Sequence, residues 1–277
     1  MTRNAVITGG NTGIGLEMAT ALAGRGDRVV IAARSAQKNA TAIARVKEKH
    51  PDAQIEAMTL DLGNFDDVDR FVAAIGRKTP VIDVLILNAG LYTMKLHTLA
   101  NGLEAMIGIM HFGHFRLATQ LLDGLKAAPQ GRIVVTSSVG HRFGRIDEAS
   151  FTDPSRHLIG FLGYGQAKLA NLLFTRELAR RLEGTRVTIN AFHPGGVATE
   201  IYRETPGLFR KIAVPFMLTP AQGADTGIWL ATAPELGNVS GKYFVKRREQ
   251  AGTAASRDPA LARRLWEISE QRVGKFG

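Results

Sequence analysis

Short apolar runs alternate with helical patterns along this chain, and that alternation narrows the possible folds more than any other feature. "NAVIT" (Asn4–Thr8) reads as a buried strand and Gly13–Gly24 as a helix. "RVVIAA" (Arg28–Ala33) is a second strand, and Ser35 is placed to cap a helix running to about His50, which Pro51 ends. "QIEAMTLDL" (54–62) is a third strand and "DDVDRFVAAIGR" (66–77) a helix with acids in its first turn. "VIDVLILNAG" (81–90) is a fourth strand, Asn101–Lys126 a long helix and "GRIVVTSS" (131–138) a fifth strand. Tyr164–Leu182 is a helix and "RVTINAFH" (186–193) a sixth strand. "TPAQ" (Thr219–Gln222) has the form of a capping box with Pro at N1, opening a helix to about Thr232. "GKYFVK" (241–246) reads as a last edge strand before a C-terminal helix near Asp258–Val273.

Strand–helix alternation predicts a doubly wound α/β fold, Rossmann-like, with a parallel sheet and helices on both faces. The strands are short and continuously apolar, as strands buried on both faces must be. No linker or composition shift divides the 277 residues, so one domain over 1–277 is expected.

The chain has no cysteine, which excludes a disulfide framework and a thiolate metal site. It has no run of about twenty apolar residues, and its N-terminus enters a strand at once, leaving no room for a signal peptide. Cytosol is the expected compartment. Net charge is +10, from 35 Lys and Arg against 25 Asp and Glu. Its densest basic run, "VKRREQ" (Val245–Gln250), is short and has no interleaved aromatics, so no nucleic-acid partner is expected.

"ITGGNTGIGLEMA" joins the first strand to the first helix. Gly9, Gly13 and Gly15 permit a tight turn, close approach of backbone N–H groups to a pyrophosphate, and packing of helix on strand. The phosphates would then sit at the positive helix end, against the loop residues Gly9, Asn11, Thr12, Gly13, Ile14 and Gly15. The second strand ends Ala33-Arg34, where an NAD site would place an acid. Arg34 suits a 2′-phosphate instead, so NADP(H) is favoured and NAD(H) is the alternative.

"YGQAK" sets Tyr164 and Lys168 at i and i+4, on one helix face. A phenol is a poor proton carrier at neutral pH. An ammonium at 4 Å and an effective dielectric of 20 would stabilise phenolate by roughly 4 kcal/mol, about three pKa units before desolvation is subtracted.

"TGGNTGIG", "LDL", "LILNAG", "RIVVTSS", "YGQAK" and "HPGGVAT" occur in this order over nearly the full chain. In that set the sequence resembles the short-chain dehydrogenase/reductase family. "SSVGH…GRI", "AKLANLLFTRELARRLEG" and "GKYF" resemble its retinol-dehydrogenase-like branch, which acts on apolar carbonyls and alcohols. The resemblance implies a sheet of about seven parallel strands. It implies that Ser138 hydrogen-bonds the substrate oxygen, Tyr164 is the acid/base, and Lys168 holds the nicotinamide ribose and lowers the Tyr164 pKa. Asp61, followed by Leu62, would meet adenine. Asn88, Ala89 and Gly90 would lie under the adenosine ribose and support the sheet. Pro194, Gly195, Val197 and Thr199 would line the nicotinamide site. The plain alternatives are that Asp61 caps a turn and that Ser137–Ser138 only end a strand.

The activity so implied is interconversion of a carbonyl and an alcohol on a small apolar substrate. Residues 139–163 would form a loop over the substrate mouth, with His141, Phe143 and Phe161 as candidate contacts. Glu200–Leu218 would be a substrate lid, or alternatively a segment touching a membrane surface. The family commonly pairs subunits through the helices at Asn101–Lys126 and Tyr164–Leu182, which implies a homodimer or homotetramer.

"MHFGHF" (Met110–Phe115) puts His111 and His114 on one face of a regular helix. It lacks the Glu of HExxH, and no acid lies between Glu104 and Asp123, so no metal is expected. The segment resembles the branch's "NHxGHF" helix, with Met110 in place of Asn. In the family that Asn steadies a helix distortion whose main-chain carbonyl holds a proton-relay water. Here the relay could survive or the helix could close over it, and His111 or His114 could stand in as relay groups titrating near neutral pH. Met110 also keeps a second class of function open: an NADP(H)-binding regulator or scaffold with weak or no turnover.

Overall fold

The computed structural model describes residues 2–157, 159–197 and 218–274. Eight strands form one sheet: β1 (Asn4–Thr8), β2 (Arg28–Ala32), β3 (Ile55–Met58), β4 (Val84–Leu87), β5 (Gly131–Thr136), β6 (Val187–His193), β7 (Tyr243–Val245) and β8 (Arg248–Gln250). Their spatial order is β3-β2-β1-β4-β5-β6-β7-β8. Every pair is parallel except β7–β8. The order reverses between β1 and β4, and an open α/β sheet binds its ligand outside the carboxyl ends at such a point.

Successive strand residues alternate between two cores. Val6, Leu85, Leu87, Ile133 and Val135 enter one, and Ala5, Ile7, Val84, Ile86 and Val134 enter the other. The second core is covered by α1 (Gly13–Gly24) and α2 (Ala36–Lys49). The first is covered by α3 (Phe65–Lys78) and by α4, which spans residues 105–127. It is also covered by α5 (Gly160–Arg181), while α6 (Pro220–Thr232) packs on the second core and α7 (Pro259–Val273) on the first. Helix starts follow local chemistry. Ser35 Oγ accepts the Lys38 N–H, Asn64 caps α3, and Thr219 with Gln222 makes a complete capping box for α6.

The seven expected parallel strands stand, with one addition, and the reading of two helices needs correction. The seven parallel strands gain an antiparallel eighth, because "VKRREQ" folds as a hairpin rather than ending the sheet. Lys246 (φ 50°) and Arg247 (φ 57°) form its turn in the left-handed region. A Lys-Arg pair carries none of the Asn or Gly signals of such turns. Thr226 Oγ1 accepts the Arg247 N–H at 3.2 Å, and Asp225 pairs with its guanidinium.

The fourth helix starts at Ala105, not Asn101, because the buried Glu104 carboxylate accepts the N–H groups of Met106 and Ile107. Nor is it regular. One turn (Ala105–Ile107) leads into a π-helical stretch (Gly108–Gly113), then α-helical stretches His114–Gln120 and Leu122–Ala127. The helix carrying Tyr164 begins a turn early, at Gly160. Among the described residues no helix is long and apolar enough to cross a membrane. The lid expected at Glu200–Leu218 lies outside the described residues except for Leu218, which bridges to Val197.

Candidate active site

The carboxyl ends of the central strands and the loops after them enclose a cleft of about 430 Å³. Its wall at β1 is the glycine loop, with Gly9, Asn11, Thr12, Gly13, Ile14 and Gly15 all lining it. Gly9 (φ 64°) and Gly13 (φ 53°) take left-handed backbone. A Cβ on Gly15 would come within 2.2 Å of the Gly9 carbonyl oxygen and 2.6 Å of Asn88 Nδ2, so the loop closes only over glycine. Thr12 is the N-cap of α1 without a side-chain bond to its first turn.

Arg34 lines the cleft at the end of β2, Asp61 and Leu62 after β3, and Asn88, Ala89 and Gly90 after β4. Asn88 ties three strand ends together. Its Nδ2 donates to Thr8 O at 3.1 Å, and its Oδ1 accepts from Thr136 Oγ1 at 3.3 Å. Asp61 also caps a turn, its Oδ1 accepting the Gly63 N–H at 2.9 Å. Pro194, Gly195 and Val197 line the far end, whereas Thr199 lies outside the described residues. Sequence reading missed Lys38, Leu91, Tyr92 and Ile109 in the lining. Lys38 could have been found, standing in the first turn of the helix that Ser35 caps directly after Arg34. Tyr92 meets the Tyr164 ring edge-on, with centroids 5.8 Å apart, and nothing in its sequence context signals that.

Ser138, Tyr164 and Lys168 share this cleft. Lys168 is 2% exposed, and its Nζ donates to Thr136 O at 3.1 Å. That ammonium stands 5.5 Å from the Tyr164 ring centroid. Burial pushes the Lys168 pKa down to about 8. Ser137 Oγ donates to the Lys168 carbonyl at 2.9 Å, fixing α5 against the end of β5. Ser138 Oγ accepts the Gly140 N–H at 3.1 Å and so caps a short 3-10 turn, Val139–Phe143. A Cβ on Gly140 would lie 3.1 Å from the Tyr164 ring and 3.5 Å from Ser138 Oγ, so this glycine lets the two hydroxyl-bearing residues converge.

The loop after Ser138 holds three short 3-10 turns, and one expectation about it fails. His141 does not face a substrate mouth. It is 1% exposed, its Nδ1 donates to Ser138 O at 2.6 Å, and it packs edge-on to Tyr243. Phe143 and Phe161 do pair at the surface, with centroids 5.2 Å apart.

"MHFGHF" lies across the π-helical stretch, and its histidines go to different partners. His111 Nε2 is 2.8 Å from Ser269 Oγ of α7, and His114 Nε2 is 2.9 Å from Thr8 Oγ1 of β1. Burial pushes both pKa values down to about 3. Neither therefore titrates near neutral pH, which overturns the expectation of a titrating relay. Among the described residues no three His, Asp or Glu groups converge as metal ligands.

A glycine cradle with no room for a Cβ, cations at the end of β2 and a buried ammonium at the other end fit a dinucleotide. The profile of the short chain dehydrogenase family matches residues 3–206. Retinol dehydrogenase 14 of Mus musculus is 36% identical over 288 aligned positions, covering 98% of this chain and 86% of that protein. Retinol dehydrogenase 12 of Homo sapiens is 38% identical, covering 97% and 85%. An uncharacterized protein from Mycobacterium paratuberculosis superposes with a TM-score of 0.79 at 31% identity, over 98% of this chain and 93% of its own. An actinorhodin polyketide ketoreductase with NADPH gives 0.68 at 25% identity, over 88% and 95%.

Proposed function

This chain belongs to the short-chain dehydrogenase family and is an oxidoreductase acting on CH–OH or C=O groups, and on that premise we propose that it uses NADP(H) on a small apolar carbonyl or alcohol with Tyr164 as the acid/base. The observation that carries the reading is the buried Lys168 ammonium held by Thr136 O beside the Tyr164 ring. A cation in that place favours phenolate, which brings the phenol's proton exchange toward neutral pH. Ser138 Oγ, on the same side of the cleft, donates to the substrate oxygen and orients it toward Tyr164. The nicotinamide, when bound, gives or takes the hydride at the substrate carbon.

Arg34 and Lys38 border the cleft where β2 ends. Two cations there favour a 2′-phosphate over a 2′-hydroxyl. Val139, Phe143, Ile159 and Phe161, in the segment between Ser138 and Tyr164, are exposed and support an apolar substrate of the kind named for the retinol dehydrogenases.

Fluorescence titration with NADPH and NADH, followed by a panel of ketones and aldehydes, tests the proposal. NADPH is expected to bind tighter, and Tyr164→Phe to abolish turnover while leaving NADPH affinity within about twofold. Tighter NADH binding would sink the cofactor assignment. NADPH binding with no turnover by the wild-type chain on any substrate would favour the regulator or scaffold reading that Met110 raised.

A further inference from the structure

Thr8 closes β1, one residue before Gly9 of the glycine loop. Its hydroxyl oxygen accepts the N–H groups of Asn88 at 2.9 Å and Ala89 at 3.0 Å. Those two bonds use both lone pairs, leaving one hydrogen to give. Two acceptors compete for it, the Ile86 carbonyl at 3.3 Å and His114 Nε2 at 2.9 Å. His114 Nε2 must receive it, because an Nε2–H would face an oxygen with no lone pair left. The ring proton therefore sits on Nδ1, which donates to the Met110 carbonyl at 3.1 Å.

One imidazole thus joins the π-helical turn to the floor of the cleft. From Thr8 the connection runs on through Asn88 and Thr136 to Lys168. Asn88 Nδ2 donates to Thr8 O, Thr136 Oγ1 to Asn88 Oδ1, and Lys168 Nζ to Thr136 O. On the helix side, a Cβ placed on Gly90 would lie 3.2 Å from Met110 Sδ and 3.7 Å from Lys168 Nζ. The buried thioether and the ammonium therefore both lie beside Gly90, which lines the cleft.

We propose that His114, held as a neutral Nδ1–H imidazole, is a positioning residue: it clamps the turn carrying Met110 to Thr8 and so fixes the wall against which Lys168 stands. The charged group facing the ring is the Lys168 ammonium from α5, and His111 of its own helix is the nearby titratable one. A second proton on His114 would be repelled by the first and would have no acceptor at Thr8. The ring holds geometry and relays no proton.

Ring ¹⁵N shifts and a set of substitutions test this. The wild-type chain should show the Nδ1–H tautomer of His114 unchanged from pH 5.5 to 9. His114→Leu loses both bonds and should lower kcat about tenfold, with KM for the carbonyl substrate within about twofold. His114→Asn keeps only a donor for the Met110 carbonyl and His114→Gln reaches only Thr8, so each breaks the clamp and should leave kcat within about threefold of the Leu variant. The Asn and Gln pair carries the test if the Leu variant does not fold, each then expected at least about threefold below wild type. An Nε2–H or doubly protonated ring, or an Asn or Gln variant with wild-type kcat, overturns the proposal. The kinetic arm rests on the redox reading. A wild-type chain without turnover defeats that reading alone, and the tautomer measurement then decides the proposal.

Discussion

Lys168→Met should make the protein more stable and inactive at once. In the folded chain the Lys168 pKa falls from 10.5 to about 8, with burial as the cause. Each unit is worth about 1.4 kcal/mol, so keeping this ammonium charged in the fold costs about 3 kcal/mol below pH 8. Methionine removes the charge and fills much of the same volume. The Thr136 carbonyl keeps a partner, since Asn171 Nδ2 donates to it at 3.2 Å. Subtracting about 1 kcal/mol for the lost Lys168 bond leaves a net gain of about 2 kcal/mol at pH 7. The pH dependence gives the sign independently. Below pH 8 both folded and unfolded wild-type chains are charged at Lys168, and the penalty is complete. Between about pH 8 and 10.5 the unfolded chain holds the proton that the folded chain has released, so wild-type stability rises with pH. Urea unfolding of both proteins at pH 7.0 and 9.5 measures this. The variant should lead at pH 7.0, and its lead should have largely closed by pH 9.5. A variant less stable than wild type at pH 7.0, or a gap independent of pH, would refute burial as the dominant force on Lys168.

Arg34→Glu should raise the NADPH Kd at least about tenfold while leaving NADH within about threefold, and equal weakening of both would reject a 2′-phosphate contact. In Gly15→Ala the new Cβ would stand 2.2 Å from the Gly9 carbonyl oxygen, so the loop must open. That should cost about 1–3 kcal/mol of stability and most NADPH affinity, read by thermal unfolding and fluorescence titration. Trp266 lies 4.7 Å from Phe115 and 6.1 Å from Phe174 between ring centroids, with the Arg181 guanidinium 4.1 Å over its ring. Trp266→Ala should therefore lose about 3–5 kcal/mol in urea unfolding, and a loss under 1 kcal/mol would mean that α7 does not anchor the core.

The sheet was legible because its strands are buried on both faces. Val84–Leu87 and Ile133–Val135 are continuously apolar, and nothing else suits such runs between amphipathic helices. The cofactor-facing glycines were legible for a related reason, since their position after β1 leaves them one job. The hairpin at Lys246–Arg247 was not, because it owes its left-handed turn to Thr226 and Asp225, which are distant in sequence. His141 was misplaced for the same kind of reason. A polar residue after Ser138 reads as exposed, but the 3-10 turn aims its ring back at the Ser138 carbonyl.

The histidine pair shows where a periodicity argument stops. Residues three apart share a face only at the pitch of a regular α-helix, and the π-helical stretch Gly108–Gly113 widens the turn on which both the argument and the metal reading depend. The rings consequently leave in different directions, His111 to the outer helix α7 at Ser269 and His114 to the sheet at Thr8. That divergence also bears on Met110. A thioether cannot supply the hydrogen bonds of an amide side chain. Yet the distortion persists here, with a donor from His114 on the Met110 carbonyl. The ring four residues on satisfies that main-chain carbonyl, while Thr8 satisfies the ring. The helix therefore need not close over when Asn is replaced by Met. What changes is the buried side chain beside Gly90 and Lys168, which is a thioether.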